Sequence, residues 1–428
     1  MNNLEKILGP ASNWINNNRI IQSISKGLMS LMSVLILGSF ATIFQNLPIE
    51  AYQSFLTTSG LGGIFTTLSN ITINLLALYA AFSIAYTYVG NFSDYDSFTG
   101  GLLGLLAFLL VTPLTTTGEG FMAITNLPLE WLGAKGIFVA MFCAIVSSII
   151  YIKLSDKGLI VKLPDSVPEF VAKSFNGIIP SVLIGILFGA ITLGLSHTEF
   201  ENFHNAVYTL IGSPLSVIGT SIWAGIIIYV LTGLCWFLGI HGIAVVSVIM
   251  PVWIAADAEN MAAVAAGQVG PNIITYNWIN AVSSPGGAGA TIGLVICVLL
   301  FAKSSRYKIF GKVATIPSLF NINEPVVFGF PMMLNPILFI PFVFTPVLFI
   351  IIGYILTSMG ILPMPTGAGG PGGTPLIIQG LMMGGWKYAV FQLIATIVST
   401  LIYFPFFKVL DKKAVEEEMK SNDVSISV

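Results

Sequence analysis

Residues Asn321–Pro336 read NINEPVVFGFPMMLNP, and the reading of this stretch decides the fold. A carboxylate, Glu324, stands between Asn323 and Pro325, and Gly329, Pro331 and Pro336 follow it. Proline removes a backbone donor and interrupts a helix, and glycine loosens it. The surroundings are apolar. Of 428 residues 55% are hydrophobic and 8% charged, with a mean hydropathy of +0.90. A soluble domain carries about a quarter charged residues, so the chain is read as an all-α polytopic membrane protein. Broken backbone at membrane depth survives only where protein buries it or it lines a cavity. An ionisable group there marks function by default. Glu324 is therefore expected in a substrate site inside the membrane, accepting from a substrate hydroxyl or carrying a proton. The competing reading is a carboxylate at the start of a half-helix, where the dipole favours it.

Outward from this stretch, apolar runs of about 17–25 residues mark the spans. They fall near 27–46, 66–89, 100–116, 136–153, 176–196, 221–239, 241–256, 288–302, 336–358 and 376–407. The expected fold thus has about ten transmembrane helices and two re-entrant hairpins. The hairpins are placed near 257–285, rich in Ala, Gly and Asn, and near 317–335. Segment 197–220 holds His197, Glu199, Glu201 and His204 before mixed apolar residues, and reads as an amphipathic interfacial helix. Residues 1–26, with Leu4, Ile7, Leu8 and Trp14 among Lys6, Arg19 and Lys26, also look interfacial. Nearly every break and buried amide lies beyond residue 220. Residues 1–196 are therefore expected to form a scaffold and dimerisation domain, 197–220 a linker, 221–410 the transport domain and 411–428 a cytoplasmic tail.

Charge supports one orientation. With the N-terminus and C-terminus in the cytoplasm, every Lys and Arg except Lys135 and Lys387 falls inside. Net charge is −2 and argues against a nucleic-acid partner. The start is too polar for a cleavable signal peptide. Cys143, Cys235 and Cys297 sit singly in apolar runs, so neither a disulfide nor a metal site is expected. No nucleotide motif is present, and no cofactor is expected. The glycine-rich run Pro363–Pro375 lacks the Lys-Ser/Thr of a phosphate loop.

Other candidates surround the breaks. His241, in Gly239-Ile240-His241-Gly242, is the histidine inside an apolar run. It is either functional or bonded to a neighbouring carbonyl. Asn272, Asn277 and Asn280 crowd the first hairpin, where amides suit sugar hydroxyls but equally satisfy broken backbone. Trp236 and Trp278 are candidates to stack on a ring, against the commoner role of interface anchor. His197 and His204 are read as residues of a solvated polar loop rather than metal ligands.

The motif at 321–336, with Gly-Ile-His-Gly at 239–242, resembles the enzyme IIC membrane subunit of phosphotransferase-system transporters of the lactose/cellobiose/diacetylchitobiose family. The resemblance spans essentially the whole chain. It implies a homodimer in the bacterial cell membrane that translocates a β-linked disaccharide such as cellobiose, lactose or diacetylchitobiose. The sugar would be phosphorylated at its 6-hydroxyl from the cysteine of a separate cytosolic IIB, fed by IIA and HPr. The phosphate donor would thus reside on IIB, since the tail 411–428 leaves no room for that domain. The resemblance places Glu324 and His241 at the reacting hydroxyl and Trp236 against the sugar, with Asn323 supporting the hairpin. Many relatives carry Pro-Trp-Thr before the last span, where this chain reads Pro371-Gly372-Gly373-Thr374. Gly372 would take the place of a stacking tryptophan. The alternative from another class is an ion-coupled sugar symporter with Glu324 as its coupling carboxylate.

Overall fold

The structure is a computed structural model. It describes residues 14, 17–45, 50–117, 123–159, 161, 164, 175–239, 242–330, 332, 335–370 and 373–426. His241, Gly372 and the interfacial residues Leu4, Ile7 and Leu8 lie outside them, and Glu324 is described by its backbone alone. The chain separates into two compact units. One comprises Ile15–Gly219 with Ser247–Gly270, and the other contains Thr220–Val246 with Pro271–Val428.

The first unit holds α1 (Arg19–Ser30), α2 (Met32–Gln45), α3 (Glu50–Ser59), α4 (Leu61–Thr72), α5 (Leu76–Val89), α6 (Ser97–Val111), α7 (Leu129–Leu132), α8 (Ile137–Asp156), α9 (Ile178–Leu195), α10 (Phe203–Val207) and α11 (Ser213–Gly219). Two short exposed strands, Thr115–Thr117 and Ile124–Asn126, pair antiparallel. Side chains start the helices. Asn18 accepts from the N–H groups of Ile20 and Ile21, and Asp96 from that of Thr99, as N-caps do. The core is built from small residues. Ala77, Ala80, Ala81 and Ala85 of α5 are fully buried, and a Cβ on Gly104 of α6 would stand 2.5 Å from that of Ala85. Small residues let apolar helices approach closely where lipid offers no hydrophobic drive.

His204 corrects one expectation. It is fully buried rather than solvated. Its Nε2 shares a hydrogen bond of 3.0 Å with Thr112 Oγ1, and its ring meets Phe108 edge-on at 5.3 Å. Asn202 caps the N-terminus of α10, and the turn that follows directs His204 inward. His197 is exposed, as expected.

The second unit holds α12 (Ile222–Phe237), and α13 (Ile243–Ala265) begins in it and runs into the first unit. It continues with α14 (Tyr276–Ser283), α15 (Ile292–Phe301), α16 (Ser305–Leu319), α17 (Glu324–Gly329), α18 (Pro336–Ser358), α19 (Ile378–Gly384) and α20 (Trp386–Ile426). Its core gathers Leu294, Val295, Val298, Phe330, Phe342 and Tyr403. The first expected break begins later than residue 257. Residues 257–265 continue α13 instead of leaving it, because AADAENMAAVA is rich in alanine, the best helix former. The chain leaves helix at 266–275, inside the expected 257–285, and a further break lies between α14 and α15, where the helix segments Tyr276–Ala290 and Ile292–Phe301 bend by 53°. The second break falls where expected, in the turn from α16 to α17.

Among the described residues six helical stretches are long and apolar enough to cross a membrane. They are Leu61–Val89, Ala134–Asp156, Ile178–Leu195, Val245–Ala265, Pro336–Ser358 and Trp386–Lys420. Two further pairs pass only when joined across a short break, giving up to eight. The expected ten included 27–46, which is broken at Leu31, and the α6 region, whose helix is only 15 residues long.

Candidate functional site

Three interruptions of helix in the second unit meet at one place. The first is the turn 284–291 between α14 and α15, in which Gly286, Gly287 and Gly289 take positive φ. The second is the turn 320–323 between α16 and α17, with Asn321 at φ 57°. The third leads into α19 through residues 373–377, with Ile377 at φ 77°.

Asn321 ties them together. Its Oδ1 accepts from the N–H of Gly286 at 2.9 Å. Its Nδ2 donates to the carbonyl of Thr374 at 3.0 Å and to Gln379 Oε1 at 3.2 Å. Asn323, buried, adds a second tie: its Nδ2 donates to the carbonyl of Ala288 at 3.0 Å. The backbone contributes Leu376 N–H to the carbonyl of Leu319 at 2.9 Å. Asparagine tolerates the left-handed conformation and brings both a donor and an acceptor, so one residue both turns the chain and cross-links it. Gly287 sits at φ +90°, and a Cβ there would stand 2.7 Å from Asn323 Cβ and 2.8 Å from the carbonyl oxygen of Asn321. Only glycine fits that approach.

Behind this junction, Gln392 of α20 accepts from the N–H groups of Ile377 (2.9 Å) and Gly380 (3.1 Å) and donates to the carbonyl of Ala281 (2.9 Å). A β-branched residue at positive φ is a true outlier, and these bonds hold Ile377 there. Tyr403 and Ser399, also on α20, donate to the carbonyls of Gly289 (2.7 Å) and Ala290 (2.6 Å).

The junction walls a cavity of about 250 Å³, near the lower end of the roughly 300–1,000 Å³ of ligand clefts. Amides reach it from Asn277, Asn280, Asn321 and Gln379, and hydroxyls from Tyr229, Tyr276, Thr232, Ser284 and Thr374. Trp236 and Phe342 supply aromatic surface. None of the described lining residues is charged. The cavity is formed within the second unit alone.

The expected site residues are placed unevenly. Trp236, Asn277 and Asn280 line the cavity. Asn277 Nδ2 donates to the carbonyl of Gly367 at 2.8 Å, and Asn280 Nδ2 to that of Tyr276 at 2.7 Å. These two amides thus satisfy backbone while facing the cavity. Asn323 is buried in the junction and supports it. Glu324 is the first residue of α17, directly after the junction. His241 and Gly372 lie outside the described residues, but Gly242 lines the cavity, as do Gly370 and Gly373. Trp278 is not at the cavity. It is fully buried, and its Nε1 donates to the Tyr388 hydroxyl at 3.2 Å. Asn321, Gln379 and Gln392 were not singled out from the sequence. Asn321 belongs to the motif at 321–336, and its place three residues before α17 is the available signal.

A membrane protein whose broken helices enclose an amide-lined cavity, with no charge among its described lining residues, has the architecture of a transporter. Comparison with known proteins gives the family. The model of the phosphotransferase system EIIC family matches residues 25–346. The cellobiose-specific EIIC component of Geobacillus stearothermophilus is 36% identical over 436 residues, covering 99% of this chain and 96% of that protein. The lichenan permease IIC component of Bacillus subtilis (strain 168) is also 36% identical, covering 99% and 95%. The crystal structure of the transporter ChbC, the IIC component from the N,N'-diacetylchitobiose-specific phosphotransferase system, superposes with a TM-score of 0.90 at 35% identity, over 97% of this chain and 99% of that one. The chain belongs to the phosphotransferase system EIIC family and is a multi-pass membrane protein.

Proposed function

We propose that this chain is the permease of a phosphotransferase system that translocates a β-linked disaccharide of the cellobiose, lactose or diacetylchitobiose type and presents it for phosphorylation by a separate IIB protein. The observation that carries the reading is the lining of the cavity. Neutral amides and hydroxyls beside Trp236 and Phe342 suit a neutral ligand with many hydroxyls and an apolar ring face. The names of the relatives point to the same class of sugar.

In this reading Trp236, Asn277 and Asn280 hold the sugar. Glu324 and His241 stand at its 6-hydroxyl, and Gly372 leaves open a place that a tryptophan occupies in many relatives. The hydroxyl oxygen attacks the phosphorus of the IIB phosphocysteine. The O–P bond forms, the S–P bond breaks, and the hydroxyl proton passes to the carboxylate or imidazole while the thiolate leaves. A positioned base contributes about 10²–10⁴-fold to such a step. The N-terminus and C-terminus face the cytoplasm in this reading, which puts the basic residues inside.

The protein works as a homodimer, and α9 offers the face. It buries only Pro180, Ile184 and Phe188. A Cβ at Gly185 or Gly189 would meet nothing within 4 Å. Ser181, Gly185 and Gly189 repeat at every fourth position, the small-residue spacing that lets membrane helices pair. The symporter alternative is not favoured, since the family couples transport to phosphoryl transfer.

Uptake of labelled sugars into vesicles, with and without phosphorylated IIB inside, tests the reading. One sugar accumulating as its 6-phosphate, and only with phosphorylated IIB, is the expected result. Accumulation of unmodified sugar that collapses with a protonophore would restore the symporter.

A further inference from the structure

The start of α16 is gripped by carboxylates from the far end of α20. The N–H of Lys303 donates to both oxygens of Asp411 (3.1 and 3.0 Å), and the N–H of Ser304 to Asp411 Oδ1 (3.0 Å). The N–H groups of Ser305 and Arg306 donate to Glu418 (3.1 and 3.0 Å), as does the Ser304 hydroxyl (2.7 Å). Ser304 Oγ in turn accepts from the N–H of Tyr307 (3.3 Å). Five consecutive backbone donors are thus satisfied, four by acids seven residues apart on α20. A side-chain cap needs one such bond. Asp411 and Ser304 are buried, so the Asp411 bonds are shielded from solvent, while Glu418 is partly exposed.

The other end of α16 is the junction. Its 15 residues form a rod of about 22 Å, from Ser305 to the turn that carries Asn321 and Asn323. The rod is also fixed along its length. Tyr307 stacks on Phe330 at 4.6 Å, and a Cβ on Gly311 would stand 2.8 Å from Val298. α20 touches both ends of this arrangement, since Tyr403 and Ser399 hold the 284–291 turn to which Asn321 and Asn323 bond. α20 runs for 41 residues, about 60 Å and twice the hydrocarbon thickness of a bilayer. Its extension beyond the apolar part therefore has a task besides crossing.

We propose that Asp411 and Glu418 are positioning residues for the sugar site: by clamping the start of α16 to α20 they set where its far end delivers Asn321 and Asn323. This inference rests on the permease reading for its consequence, while the mechanical coupling can be tested without it. Hydrogen exchange is compared for Glu418→Ala, Glu418→Gln, Asp411→Ala and the wild type in nanodiscs. Sugar affinity is measured by calorimetry on the same samples. Exchange in the 318–324 segment is expected to rise several-fold in Glu418→Ala, which removes three bonds made by a partly exposed acid, and further in Asp411→Ala, with α18 unchanged. Sugar Kd should weaken several-fold, and Glu418→Gln should recover part of both effects. Faster exchange confined to 303–308, with 318–324 and Kd as in the wild type, would reduce the carboxylates to local caps and overturn the proposal. Asp411→Ala removes the more buried acid, and Glu418→Ala keeps the test decisive should that variant fail to fold. A wild type that binds none of the disaccharides would count against the permease reading, and the exchange result would still decide the coupling.

Discussion

The N–H of Gly286 donates to Asn321 Oδ1 across 2.9 Å, joining two helix breaks that lie 35 residues apart in the chain. Through the other end of the same amide the bond continues to Thr374 in a third break. The cavity owes its polar wall to this arrangement. Broken backbone leaves donors and acceptors without helical partners, and the asparagine pairs some of them across the breaks.

Asn321→Gly keeps the left-handed backbone and removes the amide. It leaves the Gly286 N–H and the Thr374 carbonyl without these partners, at about 1–3 kcal/mol for each buried group. Sugar affinity should fall at least about tenfold, since about 1.4 kcal/mol is one decade, and thermal stability in detergent should fall with it. Asn321→Ala should be worse still, by about 1–2 kcal/mol for a non-glycine residue at positive φ. Equal melting temperatures for the two variants would show that the conformation is not held in the folded protein.

Gly287→Ala drives a methyl group into Asn323 from a backbone that disfavours any side chain. Overpacking of this kind costs about 1–3 kcal/mol. The junction should open and sugar uptake should be lost, while Gly267→Ala, where a Cβ meets nothing within 4 Å and φ is +73°, pays only the conformational part. Comparing uptake in the two variants separates close approach from backbone strain.

Glu324→Gln should fold and bind sugar yet lose phosphorylation by about 10²–10⁴-fold, the contribution of a positioned acid–base group. The assay is transfer from phosphorylated IIB at saturating sugar. Normal transfer would remove Glu324 from the chemistry and leave it the role of a carboxylate at the start of α17.

Trp278→Phe should leave the sugar profile unchanged and lower stability by about 1 kcal/mol for the lost hydrogen bond, because Trp278 is buried against Tyr388 away from the cavity. A changed sugar preference, read from competition binding, would contradict that placement.

In the proposed reading Gly372 takes the place of a stacking tryptophan, so Gly372→Trp should alter which disaccharides compete for binding. An unchanged competition profile would mean that the residue matched to that tryptophan is another one.

Composition and spelling alone determined that the chain is helical and built for a membrane, because 8% charge and long apolar runs admit no other solvent. They also located the break at 321–336, since prolines and a glycine clustered around a carboxylate disfavour a continuous apolar helix, whereas single prolines such as Pro251 and Pro405 stand inside helices. Trp236, Asn277 and Asn280 were legible as candidates for the same reason: polar or amphipathic groups beside breaks in apolar surroundings need a purpose. Tertiary structure decided the rest. Whether Trp278 faces a cavity or a core depends on the partner helix, which periodicity does not name. His204 read as a loop residue because its partners, Thr112 and Phe108, lie far away in sequence. The extent of α13 turned on alanine propensity outweighing a polar composition. Asn321 was visible as a letter of the motif, but its task was not, because a hydrogen bond across 35 residues is a property of the fold and not of its neighbours in the chain.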